Sequence, residues 1–154
     1  MSDNPSEMMQ RFAAASQGGT AFMSGLGAQV IAFAPGRNTM RLPYAPHIVG
    51  NPDTGVVHGG VITGLLDQAC GMAVGTALAA ARQDGEPMRG IATLDLRIDY
   101  LRAAKPHADI TVVGECVKIT RQIVFARGRA FQDESEEPIA LATGTFMITE
   151  IRMG

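Results

Sequence analysis

VITGLLDQACGMAVGTALAAAR, Val61 to Arg82, is the stretch on which the fold turns. From Val61 to Ala81 it holds one formally charged residue, Asp67, and it is long enough for about six turns of helix. An ionised carboxylate in apolar surroundings costs several kcal/mol unless something compensates it. Asp67 must therefore lie in a membrane, be paired within a core, or line a site. The run is long enough to span a bilayer, and Gly71 and Gly75 have the small-residue spacing of membrane helices. Asp67, Gln68, Thr63 and Thr76, the weakly hydrophobic alanines and glycines, and the strands around the run favour a soluble core helix instead.

On a helix, Gly60, Thr63, Gly64, Cys70, Gly71 and Val74 fall near the azimuth of Asp67. The carboxylate thus leaves a face of small residues. Each interior glycine costs about 1 kcal/mol against alanine, which implies a packing or access reason. Immediately upstream stands His58-Gly59-Gly60. Two residues without side-chain bulk at a helix N-terminus expose amides that have no intrahelical partner, aided by the helix dipole. Such amides can receive a carbonyl oxygen as it becomes an oxyanion. Asp67, on a roughly matching face and on the order of 10 Å further along by helical rise, leaves room for a carbonyl and a water. The competing structural reading makes His58 a capping or loop histidine and Asp67 the partner of a buried donor.

Outside this core the chain reads as strands. AQVIAFAPGRNTMRLPY predicts a hairpin, with strands from about Ala28 to Ala34 and Asn38 to Leu42 around a Pro35-Gly36 turn. A loop containing Pro43, Pro46, Gly50, Pro52 and Gly55 leads to the histidine. After the DGEPMRG break come four strand-like runs: IATLDLRIDYL, ADITVVGECVKIT, QIVFARGRAFQD and PIALATGTFMIT. In the first, Leu94, Leu96, Ile98 and Tyr100 alternate with Thr93, Asp95, Arg97 and Asp99, which puts Thr93 off the apolar face unless the strand bulges. A helix is also expected from about residue 5 to 16, broken by QGGT. An amphipathic sheet must bury one face, and the single long apolar helix is the element able to cover it. The expectation is an α+β fold of one domain over residues 1–154, an antiparallel sheet curled around one long central helix, with its core from about residue 28 to 149.

Composition agrees: 154 residues, 46% hydrophobic and 18% charged, suit one globular domain. A net charge of −2 gives no general attraction to nucleic acid or to acidic membranes. Eight of the thirteen basic residues fall between Arg89 and Arg129, read either as solvated strand faces or as a seat for an anionic group. Cys70 and Cys116 lack zinc or redox spacing and read as reduced structural residues. His47, His58 and His107 are scattered, so no metal site and no cofactor are expected. Without a basic start and apolar core at the N-terminus, a cytoplasmic location is expected.

GVVHGGVITGLLDQACG, TLDLRIDYLRAA, GECVKITRQIVFARGRAF and ALATGTFMI together resemble the hotdog-fold acyl-CoA thioesterases, specifically the phenylacetate-pathway thioesterase-like (PaaI-like) family. The resemblance spans about residues 28–149. It implies the hotdog fold, a homodimer whose sheets join (with tetramers as dimers of dimers a further option), and acyl-CoA bound at the subunit interface. It implies that the Gly59 N–H, aided by Gly60, holds the thioester carbonyl while His58 orients this segment. Asp67 would be general base or nucleophile, and Thr93, contributed across the interface, would help place the water. The family's asparagine upstream of the histidine falls here on Pro52, leaving Asn51 one step off as the candidate substrate contact. Arg102, Lys105 and Arg121 are candidate contacts to the phosphates of CoA. A hotdog hydratase or dehydratase would use a His–carboxylate pair, yet this helix carries no histidine. A non-catalytic acyl-CoA-binding module would need no base, yet Asp67 is there.

Overall fold

The computed structural model describes residues 20–133 and 137–150, so the helix expected near residues 5–16 lies outside them. The first described element, α1 (Ala21–Leu26), was not anticipated from the sequence. Its start and stop are chemically explicit. The Thr20 side chain accepts from the Met23 N–H, and Gly27 ends the helix in the left-handed conformation at φ 81°. Then follow β1 (Gln29–Ala34) and β2 (Arg37–Leu42), joined through Gly36 at φ 76°. The intervening loop contains a 3-10 turn (Pro46–Ile48) and a small ribbon of β3 (Val49–Asn51) with β4 (Val56–Val57). The central helix α2 runs Gly59–Ala81, starting two residues earlier than the apolar pattern alone suggests. Four strands complete the chain: β5 (Arg89–Tyr100), β6 (Ile110–Ile119), β7 (Ile123–Phe131) and β8 (Ala140–Glu150).

The six long strands form one antiparallel sheet in the order β1-β2-β6-β7-β8-β5, with α2 packed along its inner face. Alternation along β7 shows how this works: Val124, Ala126, Gly128 and Ala130 are buried, while Phe125, Arg127 and Arg129 point outward. From the helix, Ile62, Leu65, Leu66, Ala69, Cys70, Ala73 and Val74 meet that inner face. Although α2 is long and apolar enough to cross a membrane, more than half of its most apolar window is covered by the sheet.

The close approach depends on glycines in the sheet more than on those in the helix. Gly114 of β6 pairs with Gly128 of β7, and Gly128 with Ala142 of β8, making a row of minimal side chains under the middle of α2. A Cβ on Gly114 would stand 2.1 Å from the Ala69 carbonyl oxygen and 2.8 Å from the Cys70 nitrogen. A Cβ on Gly128 would meet side chains rather than backbone, Cys70 Sγ and Leu66 Cδ2 at 3.0 Å and Ala142 Cβ at 3.3 Å. Gly64 in the helix has its own reason, since Phe22 of α1 lies 2.9 Å from where its Cβ would be. The turn between β1 and β2 is tied to the same helix by the Gly36 N–H, which donates to Thr76 Oγ1 at 3.1 Å.

These contacts rank two otherwise similar substitutions. Gly114→Ala pushes against helix backbone that cannot rotate away and should cost about 3 kcal/mol or more, whereas Gly128→Ala should cost about 1 kcal/mol. Urea unfolding of the two variants is the check, and equal losses would contradict the backbone contact.

Candidate active site

Two clusters of functional groups lie along the open side of α2, both held by the edge strand β5. The first is the helix N-terminus. His58 is its N-cap, at φ −62° and ψ 132°, and its Nδ1 accepts from the Gly60 N–H at 2.9 Å. The His58 carbonyl accepts from the Val61 N–H at 3.0 Å, and its own N–H donates to the Ile48 carbonyl at 2.9 Å. The amide expected to aid Gly59, that of Gly60, is therefore already used by the cap. Among the described residues the Gly59 N–H has no acceptor, leaving it as the open donor of this turn.

Tyr100, at the end of β5, clamps the same turn. Its hydroxyl donates to the Gly59 carbonyl at 2.6 Å and is 2.6 Å from Thr63 Oγ1. Read from the sequence, Tyr100 belonged to the apolar alternation of its strand. The signal that could have singled it out was the hydroxyl itself, which needs a polar partner on such a face.

The second cluster centres on Asp67, eight residues beyond Gly59 and about 12 Å along the helix by rise. Thr93 Oγ1 donates to Asp67 Oδ1 at 3.0 Å within the same chain. The contact exists because β5 bulges: Thr93 pairs with Phe146 and Asp95 with Thr145, so Leu94 is left over. Simple alternation, which put Leu94 on the buried face, is corrected here; Leu94 is 54% exposed and Thr93 takes the helix-facing side. Thr93 was expected to act across an interface, yet it needs no second chain to reach Asp67. Asp67 is half-buried, and among the described residues no Lys, Arg or His forms an ion pair with it. The buried Cys70 thiol nearby is pushed up to about 12, first by burial and then by the Asp67 charge, so it stays protonated and unreactive.

Asp67 and Thr93 stand in the wall of a cleft of about 440 Å³ between α2 and β5. Its lining is mainly apolar, with Gly71, Gly75, Leu78, Ile91 and Phe146 beyond the carboxylate.

The remaining sequence candidates do not gather here. Asn51 Oδ1 accepts from the Asp53 N–H at 3.0 Å, and its carbonyl accepts from the Thr54 and Gly55 amides, so it organises its own turn. The tight neighbour of His58 is Gly50, where a Cβ would come within 3.1 Å of His58 Cα. Arg102 donates to the Glu137 carbonyl at 3.1 Å, and Lys105 is ion-paired with Asp133 at 2.8 Å. Arg121 lies in the β6–β7 turn, in a second cleft with Arg89 and Glu150 at the other end of the sheet. The expected basic seat is thus split between two ends of the molecule.

With this geometry in view, comparison with known proteins is specific. The pattern of the Thioesterase superfamily matches residues 54–139. The chain is 32% identical over 109 residues to the medium/long-chain acyl-CoA thioesterase YigI of Escherichia coli K12, covering 67% of this chain and 69% of that one. A Pseudomonas aeruginosa protein of known crystal structure is 40% identical, with a TM-score of 0.71 over 97% of this chain and 100% of its own. A mutant of the phenylacetic acid degradation protein PaaI from Thermus thermophilus superposes with a TM-score of 0.67 at 25% identity, over 82% of this chain and 96% of that one. The chain belongs to the thioesterase superfamily. It is an enzyme of thioester hydrolysis built on the hotdog fold, an antiparallel sheet around one long central helix.

The open amide can be removed by a residue that a helix start accepts, at the cost of a tight contact with Tyr100, whose hydroxyl would lie 3.3 Å from the new Cβ. Position 59 is the first of the helix, where proline is tolerated, and His58 already has the extended conformation that proline demands of its predecessor. Gly59→Pro should lower kcat on the order of 100- to 1,000-fold, the usual worth of one oxyanion donor, and well beyond the effect of Tyr100→Phe, which loosens the same turn while keeping the amide. An unchanged kcat would remove Gly59 from the reaction.

Proposed function

We propose that the protein hydrolyses acyl-CoA thioesters, with Asp67 as general base or nucleophile and the Gly59 N–H as oxyanion donor. The observation that carries this reading is the state of Asp67: half-buried, hydrogen-bonded by a threonine, unpaired with any described cation, and set in the wall of an apolar cleft. A carboxylate kept only for stability would be expected to carry a buried positive partner.

In the water route, Asp67 takes a proton from a water as its oxygen bonds to the thioester carbon. The carbonyl oxygen becomes an oxyanion facing the Gly59 N–H. Collapse breaks the carbon–sulfur bond, and the proton held by Asp67 goes to the departing CoA thiolate. In the nucleophilic route, Asp67 attacks the same carbon, the carbon–sulfur bond breaks and CoA leaves as a thiolate that is protonated by water, and a second water then cleaves the resulting anhydride to release the acid and restore the Asp67 carboxylate. Both routes consume the same negative charge. Thr93 holds one carboxylate oxygen, which leaves the other for the reaction, and His58 and Tyr100 keep the first helical turn in shape. Acyl-CoA as the substrate class is supported by the name of the YigI relative.

The reading includes a homodimer joined through β5. That strand is an edge of the sheet, bonded along one side to β8, and it exposes Leu94 and Tyr100, with exposed Leu101 just beyond its end. An open edge of this length invites pairing, and a two-fold antiparallel match with a second copy closes it. A match centred near Leu96 would set one chain's Thr93 end beside the other chain's Tyr100 end, bringing an Asp67–Thr93 pair towards a Gly59 amide. Light scattering at micromolar concentration should therefore report a dimer or a larger even assembly; a fully active monomer would exclude this arrangement.

Asp67→Asn tests the chemistry. It keeps size and hydrogen-bonding capacity but removes the charge, so hydrolysis should fall on the order of 100- to 10,000-fold while acyl-CoA binding persists. The melting temperature should hold or rise, because a neutral amide need not be desolvated as an anion. A destabilised variant with full turnover per folded molecule would return Asp67 to a structural role.

A further inference from the structure

A tetrahedral oxyanion is normally held by converging donors, and the first turn of α2 offers it one free amide, that of Gly59. The other groups that the sequence pointed to are engaged. The Gly60 N–H donates to His58 Nδ1 at 2.9 Å, and Asn51 is folded onto the Asp53 N–H at 3.0 Å. What stands beside the free amide is a side chain from β5. A Cβ on Gly59 would lie 3.3 Å from the Tyr100 hydroxyl, which is itself 2.6 Å from the Gly59 carbonyl oxygen. A backbone nitrogen is about 2.5 Å from the Cβ of its own residue, so hydroxyl and nitrogen are at most about 6 Å apart, and one oxygen between them can accept from both. Tyr100 is 52% exposed, so a ligand can reach it.

Two features of the bonding leave the phenolic hydrogen free to turn. The Gly59 carbonyl does not depend on it, because in the helical pattern that carbonyl already accepts from the Thr63 N–H, four residues on. The phenolic oxygen is also held from behind. Thr63 Oγ1 lies 2.6 Å from it, and with the phenolic hydrogen on Gly59 the Thr63 hydroxyl is the donor of that pair. When the phenolic hydrogen swings to a negatively charged oxygen, Thr63 keeps its grip, and its hydrogen bond polarises the phenol into a stronger donor.

We propose that Tyr100 is the second oxyanion donor of the hydrolytic reaction and that Thr63 is the positioning residue that aims it. The proposal rests on the thioesterase reading above and deepens it. In the resting enzyme the hydroxyl bonds to the Gly59 carbonyl. As the thioester carbon becomes tetrahedral, the hydroxyl transfers that hydrogen bond to the new oxyanion and keeps its proton. The bond is made only in the transition state, so it raises kcat without tightening substrate binding.

The experiment compares the wild type with Tyr100→Phe, Thr63→Val and Thr63→Ser, using whichever acyl-CoA the wild type hydrolyses fastest from a set running from butyryl- to palmitoyl-CoA and including phenylacetyl-CoA. Tyr100→Phe should lower kcat about 10-fold with KM within about 2-fold, as expected for a neutral donor that must first turn towards its acceptor. Thr63→Val leaves the Tyr100–Gly59 bond in place and removes only the aiming hydroxyl; it should lower kcat about 3-fold, and Thr63→Ser should restore it. Acyl-CoA affinity, measured in the Asp67→Asn background, should be the same with Tyr100 or Phe at position 100. An unchanged kcat in Tyr100→Phe would overturn the proposal and leave hydrolysis intact. So would a loss in Tyr100→Phe beside a fully active Thr63→Val, which would make Tyr100 a clamp of the turn and nothing more. No hydrolysis of any acyl-CoA by the wild type would overturn the thioesterase reading and this one with it.

Discussion

The contact between Gly114 and the backbone of Ala69 is the constraint on which the molecule depends. A helix normally rests on a sheet at a distance set by side chains from both. Here one strand residue contributes none, and the helix settles until its peptide groups lie against the strand. That depth decides the rest of the inner surface. It leaves room beneath α2 for Ala126, Ala130 and Ala142 where larger residues would otherwise fit. It also brings the far side of the helix level with the edge strand, so that β5 can reach Asp67 through Thr93 and Gly59 through Tyr100.

Asp67 is therefore supported by geometry rather than by charge. A cation beside it would stabilise the carboxylate but would also weaken it as a base. A single threonine hydroxyl orients one oxygen at modest energetic gain. The helix N-terminus shows the complementary economy. One of its open amides is closed by the His58 ring, and the next one out is kept open. His58, read from the sequence as a capping or orienting histidine, is committed to shaping that turn.

The elements with strong periodicity were legible in the sequence. The apolar run gave α2, and the four alternating runs match β5 to β8 within a few residues, because each carries the full burial signal of its element. Asp67, Gly59, His58 and Thr93 were singled out by their spacing and the resemblance, and of that arrangement the fold displays the Thr93–Asp67 and His58–Gly60 hydrogen bonds. The misses have physical reasons. A period-2 reading has no means of registering the extra residue at Leu94, so it turned that side chain inward when the bulge turns it out. The role of Tyr100 lies in a contact across 41 positions of sequence. Arg102 and Lys105 lie at one end of the sheet and Arg121 at the other, because antiparallel strands send successive turns to opposite ends, a placement that linear sequence does not display. The glycines that matter most for packing sit in β6 and β7, where local pattern marks them only as weak strand residues.

Cys70 gives this architecture an unplanned reporter. Its thiol is sealed between α2 and β7, against Gly128, and burial with the Asp67 charge keeps it protonated at neutral pH. An alkylating reagent can reach it only while the helix is lifted from the sheet, and Cys116, half-buried near the β6 bulge, offers an internal comparison. The rate at which Cys70 is labelled in the native protein thus measures how often the contact between Ala69 and Gly114 opens, without any denaturant.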